Sequence, residues 1–294
     1  PLVIGVMLMV LLEALDTTVV NVALPHMKGS FAATSDQITW MITAYLVSTA
    51  IVMPLTGYLV KKFGQREVLN FGVLGFILAS IACGLSSNLE SMVFFRFLQG
   101  GLGAVVVPIS QSIMFRAFPE EKRSQAMSFW GIALMVGPLV GPVTGGWITE
   151  NWSWPWIFFI NIPIGVIALL LISGKLEPDV DKKNITTDWF GLVMLSVTLG
   201  ALQMVLDQGH TRDWLDSAFI QFLCWLTATG FALFLIHALH ARESIIDVRL
   251  FGDKNFLVGN LLMAGYGMAM YSTIVLLPLQ VQEVLGYPAD TAGW

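Results

Sequence analysis

Nine long runs of apolar residues, separated by short polar stretches, make up most of this chain. A hydrocarbon core of about 30 Å requires about 20 apolar residues in a helix, and the runs approach or reach that length. The pattern therefore predicts an all-α polytopic membrane protein. The predicted spans are approximately 2–24, 38–60, 67–86, 91–115, 125–149, 155–174, 188–207, 217–240 and 255–282.

The composition agrees with a membrane protein and excludes an ordinary soluble one. Hydrophobic residues make up 56% of the chain and charged residues 12%, with a mean hydropathy of +0.75. Soluble domains contain about a quarter charged residues. The predicted spans cover most of the chain, so no sizeable soluble domain is expected.

The positive charges predict the orientation of the spans. The loops after the second, fourth, sixth and eighth spans hold 12 of the 15 Lys and Arg residues, whereas the alternate loops hold only Lys28 and Arg212. Positively charged loops stay in the cytoplasm, so the even-numbered loops are predicted to face inward. The first span then runs outward.

The first span contains two carboxylates, Glu13 and Asp16, which share one helical face because they are three residues apart. Thr17 and Asn21 extend this polar arc. Charged groups are costly inside a bilayer, so the arc is expected to face protein or a water-filled cavity. Two carboxylates this close do not both ionise easily, so one is expected to carry a proton. The alternative is a structural hydrogen-bonding cap near the outer end of the span.

Arg96 lies about a turn inside the fourth span, on one helical face with Gly100 and Gly103 and with Gln99 beside it. An arginine in this position requires a partner, and the first-span carboxylates are the natural candidates. Protonation of a carboxylate would release Arg96 and could couple proton binding to helix movement. The alternative is that Arg96 extends to the cytoplasmic headgroups.

The fifth span is rich in glycine and proline. Glycines four residues apart allow another helix backbone to approach closely, and prolines with the same spacing bend the helix. A bilayer tolerates both where neighbouring groups replace the lost hydrogen bonds. The glycines and prolines of this span therefore predict a gate in a transporter that changes conformation. The residues of this predicted gate are Gly137, Pro138, Gly141, Pro142, Gly145 and Gly146.

Weaker signals mark a candidate substrate pathway. Met263 and Tyr266 lie in a ninth span rich in methionine and tyrosine, which suit an adaptable apolar pocket, although ordinary helix packing accounts for them equally well. Asn21 and Gln99 complete this candidate set. Asp207 is close to the outer interface, where solvation would explain it.

Enzymatic and ATP-driven functions find no support. The chain lacks H-E-x-x-H, G-x-S-x-G and G-x-x-x-x-G-K-[ST] motifs, so neither an intramembrane hydrolase nor an ATP-driven pump is expected. The two cysteines and four histidines show no metal-ligand spacing. No metal, cofactor or nucleic acid is expected. The sequence has no ring-like repeat of charges that would favour a channel. A purely structural subunit would not need buried carboxylates.

Four motifs resemble those of the major facilitator superfamily, specifically its fourteen-span drug:proton antiporters of the EmrB and QacA type. The first-span signature lies at 15–25, and the fifth-span antiporter motif lies at 141–146. Residues 156–163 resemble the entry to the sixth span. The fourth-span motif, associated in the family with proton transfer, is carried by Arg96, Gln99, Gly100 and Gly103.

A fifth motif departs from the family pattern. The inner loop with Gly57, Gly64 and Arg66 resembles the second-loop pattern, but Lys61 stands where most members have an aspartate. In the family that aspartate helps to hold the cytoplasmic side closed. The resemblance therefore leaves the latch in doubt at this position, while the two turn glycines are retained.

The resemblance implies the major facilitator fold. It assigns 1–174 to an N-terminal six-helix bundle, 175–187 to a cytoplasmic linker, 188–240 to two additional transmembrane helices, and 241–294 to a second linker and the first span of a truncated C-terminal bundle. Because Pro1 begins at a span and 288–294 read as the start of another, the chain is expected to be a fragment.

The resemblance also implies a function. It indicates a proton-driven exporter of amphipathic or hydrophobic compounds in the bacterial inner membrane, with Asp16 as proton carrier, Glu13 as auxiliary and Arg96 as partner. A metabolite exporter or symporter on the same fold is the alternative, and a non-transport subunit a weaker one. Analogy with EmrB-type exporters further suggests a periplasmic adaptor and an outer-membrane channel as partners.

Overall fold

The computed structural model describes residues 1–176, 188–241 and 244–279. The described residues form α-helices joined by turns and short 3-10 segments, which confirms the predicted all-α fold. In chain order the helices are α1 (Leu2–Ser30), α2 (Ser35–Val52), α3 (Thr56–Phe63), α4 (Gln65–Gly84), α5 (Leu89–Gly103), α6 (Val106–Ala117), α7 (Arg123–Asn151), α8 (Trp156–Phe159), α9 (Asn161–Ser173), α10 (Trp189–Gln208), α11 (Ala218–His240) and α12 (Lys254–Leu279).

Eight of the nine predicted spans coincide with helical segments long and apolar enough to cross a membrane. Three of these segments are built from two helices each: α2 with α3, α5 with α6, and α8 with α9. The ninth predicted span coincides with α12 as far as Leu279. Its last three residues lie outside the described part of the chain.

Parts of the predicted linkers also lie outside the described residues. These parts are 177–187 of the first linker and 242–243 of the second, together with the segment 288–294. The division of the chain at 174, 187 and 240 stays a prediction.

Helix α1 is at the centre of the helices that follow it, in contact with α6, α7 and α9. Two apolar clusters pack along it. Val6 and Met9 belong to one cluster, whereas Leu15 and Val19 belong to the other. The same division occurs on α4, where the first cluster ends at Ile77 and the second contains Cys83. Polar side chains buried between these clusters therefore lie at one level of the bundle.

The outer surface of the helices is apolar. Phe71, Leu170 and Trp225 are each more than 70% exposed, on α4, α9 and α11 respectively. Large exposed apolar side chains on many helices would be unfavourable in water but are expected where the surface faces lipid tails. This surface agrees with the membrane location predicted from the sequence.

Helices α10 and α11 pack against each other, and α10 packs on α2. A polar contact joins α2 to α10, because the Thr43 hydroxyl donates to Asp207 and also accepts a hydrogen bond from Gln208 at 3.1 Å. The expectation that Asp207 is simply solvated is therefore wrong. At the other end of the pair, His237 Nε2 lies 2.7 Å from Asp188 Oδ1.

Candidate functional site

The buried carboxylate of Asp16 binds three side chains from two other helices. Arg96 Nη1 donates to Oδ2 at 2.6 Å, while Gln99 Nε2 and Asn161 Nδ2 donate to Oδ1 at 2.9 and 2.7 Å. Asp16 is 2% exposed and Arg96 1% exposed. The predicted pairing of Arg96 with a first-span carboxylate is thus present, and its partner is Asp16.

The local structure of each helix places these groups at one level. Asn88 caps the start of helix α5, because its side chain accepts a hydrogen bond from the backbone of Ser91. The helix presents Arg96 and Gln99 on one buried face. Asn161 is the first residue of α9, directly after the short helix α8. The three donors therefore come from helices of the bundle and not from loops.

Ser80 on α4 holds the two amides in position. Its hydroxyl accepts hydrogen bonds from Gln99 Nε2 at 3.2 Å and from Asn161 Nδ2 at 2.9 Å, and it donates to the backbone carbonyl of Phe158 at 2.9 Å. Ser80 is fully buried. Helices α1, α4, α5, α8 and α9 are therefore joined by one continuous polar cluster.

Aromatic rings enclose the Arg96 guanidinium. Its Cζ lies 4.2 Å from the centroid of the Tyr45 ring and 5.8 Å from that of Phe158, and its Nη1 also donates to Gln99 Oε1 at 2.8 Å. Rings at such distances attract a cation through their electron-rich faces. The alternative in which Arg96 extends to the headgroups is therefore wrong, because an anion and an aromatic surface are available inside the bundle.

Asp16 also does not act as a helix cap. All three of its partners are side chains on other helices, so the alternative of a structural cap near the outer end of the first span is wrong as well. The cluster is a buried charge pair, neutral as a whole. Adding a proton to Asp16 would remove the negative charge that compensates Arg96, and the pair would then favour separation.

Glu13 lies one turn away in very different surroundings. It is 8% exposed and borders a small cavity. The other residues that line this cavity are apolar: Met9, Leu12, Val73, Phe76 and Val106. Within the described part of the chain, no side chain donates a hydrogen bond to it. The two carboxylates predicted as a pair thus have unequal environments.

The glycine face of α7 packs directly on α1. A side-chain carbon at Gly141 would collide with Thr18, and one at Gly137 would collide with Ala14. The Thr18 hydroxyl lies 3.3 Å from the Gly137 carbonyl oxygen, to which it donates. The predicted close approach of another helix is present, and the other helix is the one that carries Asp16.

The remaining residues of the predicted gate also lie on α7. A side-chain carbon at Gly145 would lie 3.0 Å from the Val19 carbonyl, whereas one at Gly146 would be in ordinary contact with Val22 at 3.8 Å. Pro138 and Pro142 lie inside α7, which runs as one helix from Arg123 to Asn151. The role of this face as a gate stays a prediction.

The predicted cytoplasmic loop motif divides into a turn and a helix. Gly64 has a φ of 95° and separates α3 from α4, as a turn glycine should. Gly57 lies inside α3, so its prediction as a turn glycine is wrong. Lys61 is exposed and Arg66 half-buried, both beside the turn.

Three residues of the predicted substrate pathway lie away from the polar cluster. Asn21 is exposed on α1, and Met263 and Tyr266 are 66% and 56% exposed on α12. Helix α12 packs against the 3-10 segment Val248–Gly252. Only Gln99 of that set joins the Asp16 cluster.

Sequence reasoning missed three members of the cluster: Ser80, Asn161 and Tyr45. Asn161 was available as a signal, because it is the one amide in the apolar run 156–164. Ser80 and Tyr45 give no such signal, since serine and tyrosine are common in membrane helices. Across the residues that the structure describes, no group of three or more His, Cys, Asp and Glu side chains could hold a metal ion.

Comparison with known sequences identifies a family and a set of relatives. The Major Facilitator Superfamily pattern matches residues 6–294. The fatty acid resistance protein FarB of Neisseria gonorrhoeae is 40% identical over 97% of this chain, which covers 57% of that protein. The multidrug export protein EmrB of Escherichia coli K12 is 38% identical over 96% of this chain, which covers 55% of it. The chain thus spans little more than half the length of these relatives.

Comparison with solved structures gives the same fold. The proton:xylose symporter XylE, bound to 6-bromo-6-deoxy-D-glucose, superimposes with a TM-score of 0.62 at 17% identity, over 99% of this chain and 64% of that one. A peptide transporter POT variant gives 0.64 at 12% identity, over 95% and 60%. The apolar helices and the bacterial relatives together identify a multi-pass protein of the bacterial inner membrane, as predicted.

Proposed function

The chain belongs to the major facilitator superfamily, and on that premise we propose that the whole protein is a proton-driven exporter of amphipathic or hydrophobic compounds. It would work by alternating access, in which two helical bundles rock about a binding site near the middle of the membrane. Relatives named for multidrug export and fatty acid resistance favour this class of substrate.

The observation that carries the proposal is the buried pair of Asp16 and Arg96. A pair of opposite charges removed from water is costly unless its geometry and hydrogen bonds are good, and it is a device that one proton can switch. Here the pair joins α1 to α5, and the amides of Gln99 and Asn161 extend it to α9. Protonation of Asp16 would weaken these links together.

In this mechanism Asp16 is the proton carrier, Arg96 its partner and Glu13 an auxiliary group. Release of Arg96 would leave the guanidinium against the Tyr45 ring and free α1 to move relative to α5. The glycines of α7 pack on α1, so movement of α1 would be transmitted to the proposed gate on α7. Asn21, Met263 and Tyr266 are proposed to face the substrate pathway.

The partners of this protein are proposed by analogy with its relatives. We propose small drug-like molecules and protons as the transported species. A periplasmic adaptor and an outer-membrane channel would extend export across the cell envelope.

The test measures proton release in inverted membrane vesicles that contain the full-length protein. Adding amphipathic drugs should collapse an imposed proton gradient with the wild type and with Asp36→Asn, an exposed control on α2. Asp16→Asn should abolish the response. Equal responses of Asp16→Asn and wild type would contradict the role of Asp16. Proton movement in response to a single metabolite, with none for drugs, would favour the alternative of a metabolite carrier.

A further inference from the structure

Three charged residues are buried within the described part of the chain: Glu13, Asp16 and Arg96. Two of them are acids and one is a base. If all three were ionised, the interior would hold one uncompensated negative charge, which is strongly unfavourable in a low-dielectric environment. The buried set becomes neutral when one of the two carboxylates carries a proton.

The hydrogen bonds decide which carboxylate is ionised. Asp16 receives a donor from Arg96 on one oxygen and two amide donors, from Gln99 and Asn161, on the other. An ionised carboxylate only accepts hydrogen bonds, and these three donors suit it. A proton on Asp16 would need an acceptor, but the groups around its oxygens point N–H bonds at it.

Glu13 has the opposite environment. Its neighbours Met9, Val73 and Phe76 offer no hydrogen-bond donor that could stabilise an anion. The titratable groups that interact electrostatically with Glu13 are Asp16 on α1 and Tyr45 on α2. Tyr45 carries no charge in its ordinary protonated form. The buried cation Arg96 directs its Nη1 to Asp16 and Gln99 and not to Glu13.

We propose that Glu13 is a proton-binding site in its own right, occupied in this conformation, in which Asp16 is ionised and paired with Arg96. The proposed exporter thus has two acids with separate tasks on one face of α1. The inference rests on the proposed function for its use in transport, although the protonation state itself does not depend on transport.

The proton balance is simple. When the helices around Glu13 open to water on the side of high proton concentration, the carboxylate accepts a proton from hydronium and leaves a water molecule. The neutral acid is then compatible with the closed apolar packing. When the pocket opens on the other side, the acid returns its proton to water, and the carboxylate left behind is solvated.

The test is infrared spectroscopy of the purified full-length protein at neutral pH. A protonated carboxylic acid has a carbonyl stretching band that shifts on exchange from H₂O to D₂O. The wild type should show a band from a buried acid. Glu13→Gln should lose it, and Glu90→Gln, an exposed control, should retain it. Glu13→Asp should retain the band at a shifted frequency, which guards against loss of the band through misfolding.

A spectrum of Glu13→Gln with the same acid bands as the wild type would overturn the proposal. Absence of a band in the wild type would overturn it as well. Glutamine matches the size of the neutral acid, so Glu13→Gln should also melt at the wild-type temperature. A Glu13 band in a protein that shows no drug-dependent proton release would leave this inference standing and contradict the proposed function.

Discussion

At the scale of single residues, the buried cluster concentrates its interactions on one carboxylate. Asp16 is the acceptor for a cation and two amides, so each partner can be removed without removing the others. Breaking a buried ion pair from one side costs about 3–5 kcal/mol, because the remaining charge is left uncompensated. Loss of a neutral donor should cost less.

Asn161→Ala should lower the stability of the protein by about 1–3 kcal/mol, the range for a buried polar group left without its partner. The substitution removes one donor to Asp16 and one to Ser80. Thermal unfolding in detergent, followed by tryptophan fluorescence, measures the effect. Asn260→Ala is the matched control, since Asn260 is exposed on α12. Equal melting temperatures for the two variants would show that the Asn161 contact contributes nothing.

The charged part of this site could be predicted from the sequence, whereas its neutral part could not. Glu13, Asp16 and Arg96 stand out because charges are rare and costly inside apolar spans. Ser80 and Tyr45 are ordinary residues of membrane helices, and their contacts depend on how α2 and α4 pack around α5. That packing is a property of the fold and leaves no local pattern.

At the scale of helices, small residues determine where the chain packs most closely. Gly141→Ala should destabilise the protein by about 1–3 kcal/mol, the usual cost of adding an atom to a filled interface. The new methyl group would meet Thr18 on α1. Gly146→Ala is the control in the same helix, because its methyl group would lie 3.8 Å from Val22. Gly141→Ala should have the lower melting temperature of the two variants. A similar loss of stability in both would show that the contact with α1 is not the cause and would point to helix flexibility.

A second pair of glycines tests the turn between α3 and α4. Gly64→Ala should cost about 1–3 kcal/mol, because a residue with a side chain is strained at the φ of 95° found there. Gly57→Ala should be neutral or slightly stabilising, since Gly57 lies in α3 with no atom within 4 Å of an added carbon. Thermal unfolding checks both. A larger loss at Gly57 than at Gly64 would contradict this difference.

The apolar pattern located the spans well but not the helix ends. The first predicted span ends at 24, whereas α1 continues to Ser30 through Pro25. Hydrophobicity marks where the bilayer ends, and a helix can continue beyond it into water. The pattern also concealed breaks inside spans, such as the 3-10 segment Met53–Leu55 that contains Pro54. Such breaks depend on local backbone geometry more than on hydrophobicity.

At the scale of the whole molecule, the charge asymmetry of the loops predicts which ends of the helices face the cytoplasm. Glu121→Cys should react with a membrane-impermeant thiol reagent only in inverted vesicles, and Thr211→Cys only in intact spheroplasts. Both positions are exposed, and neither substitution alters a Lys or Arg. The measurement is labelling of each variant in both preparations.

The background for this experiment is Cys224→Ala, because Cys224 is partly exposed whereas Cys83, the other cysteine of this sequence, is buried. The background protein should remain unlabelled in both preparations. Labelling of Glu121→Cys in spheroplasts would reverse the predicted orientation, and every proposed assignment of inner and outer ends would reverse with it.

The sequence separation within the polar cluster has a consequence for biosynthesis. Asp16 is 80 residues from Arg96 and 145 from Asn161. A ribosome that adds about 5–20 residues per second completes Arg96 roughly 4–16 s after Asp16 and Asn161 some seconds later still. During that interval the acids of the first helix lack the partners that they have in the complete bundle. The ion pair that secures the mature bundle is therefore a late event in membrane insertion, and a slower ribosome prolongs the exposure of α1.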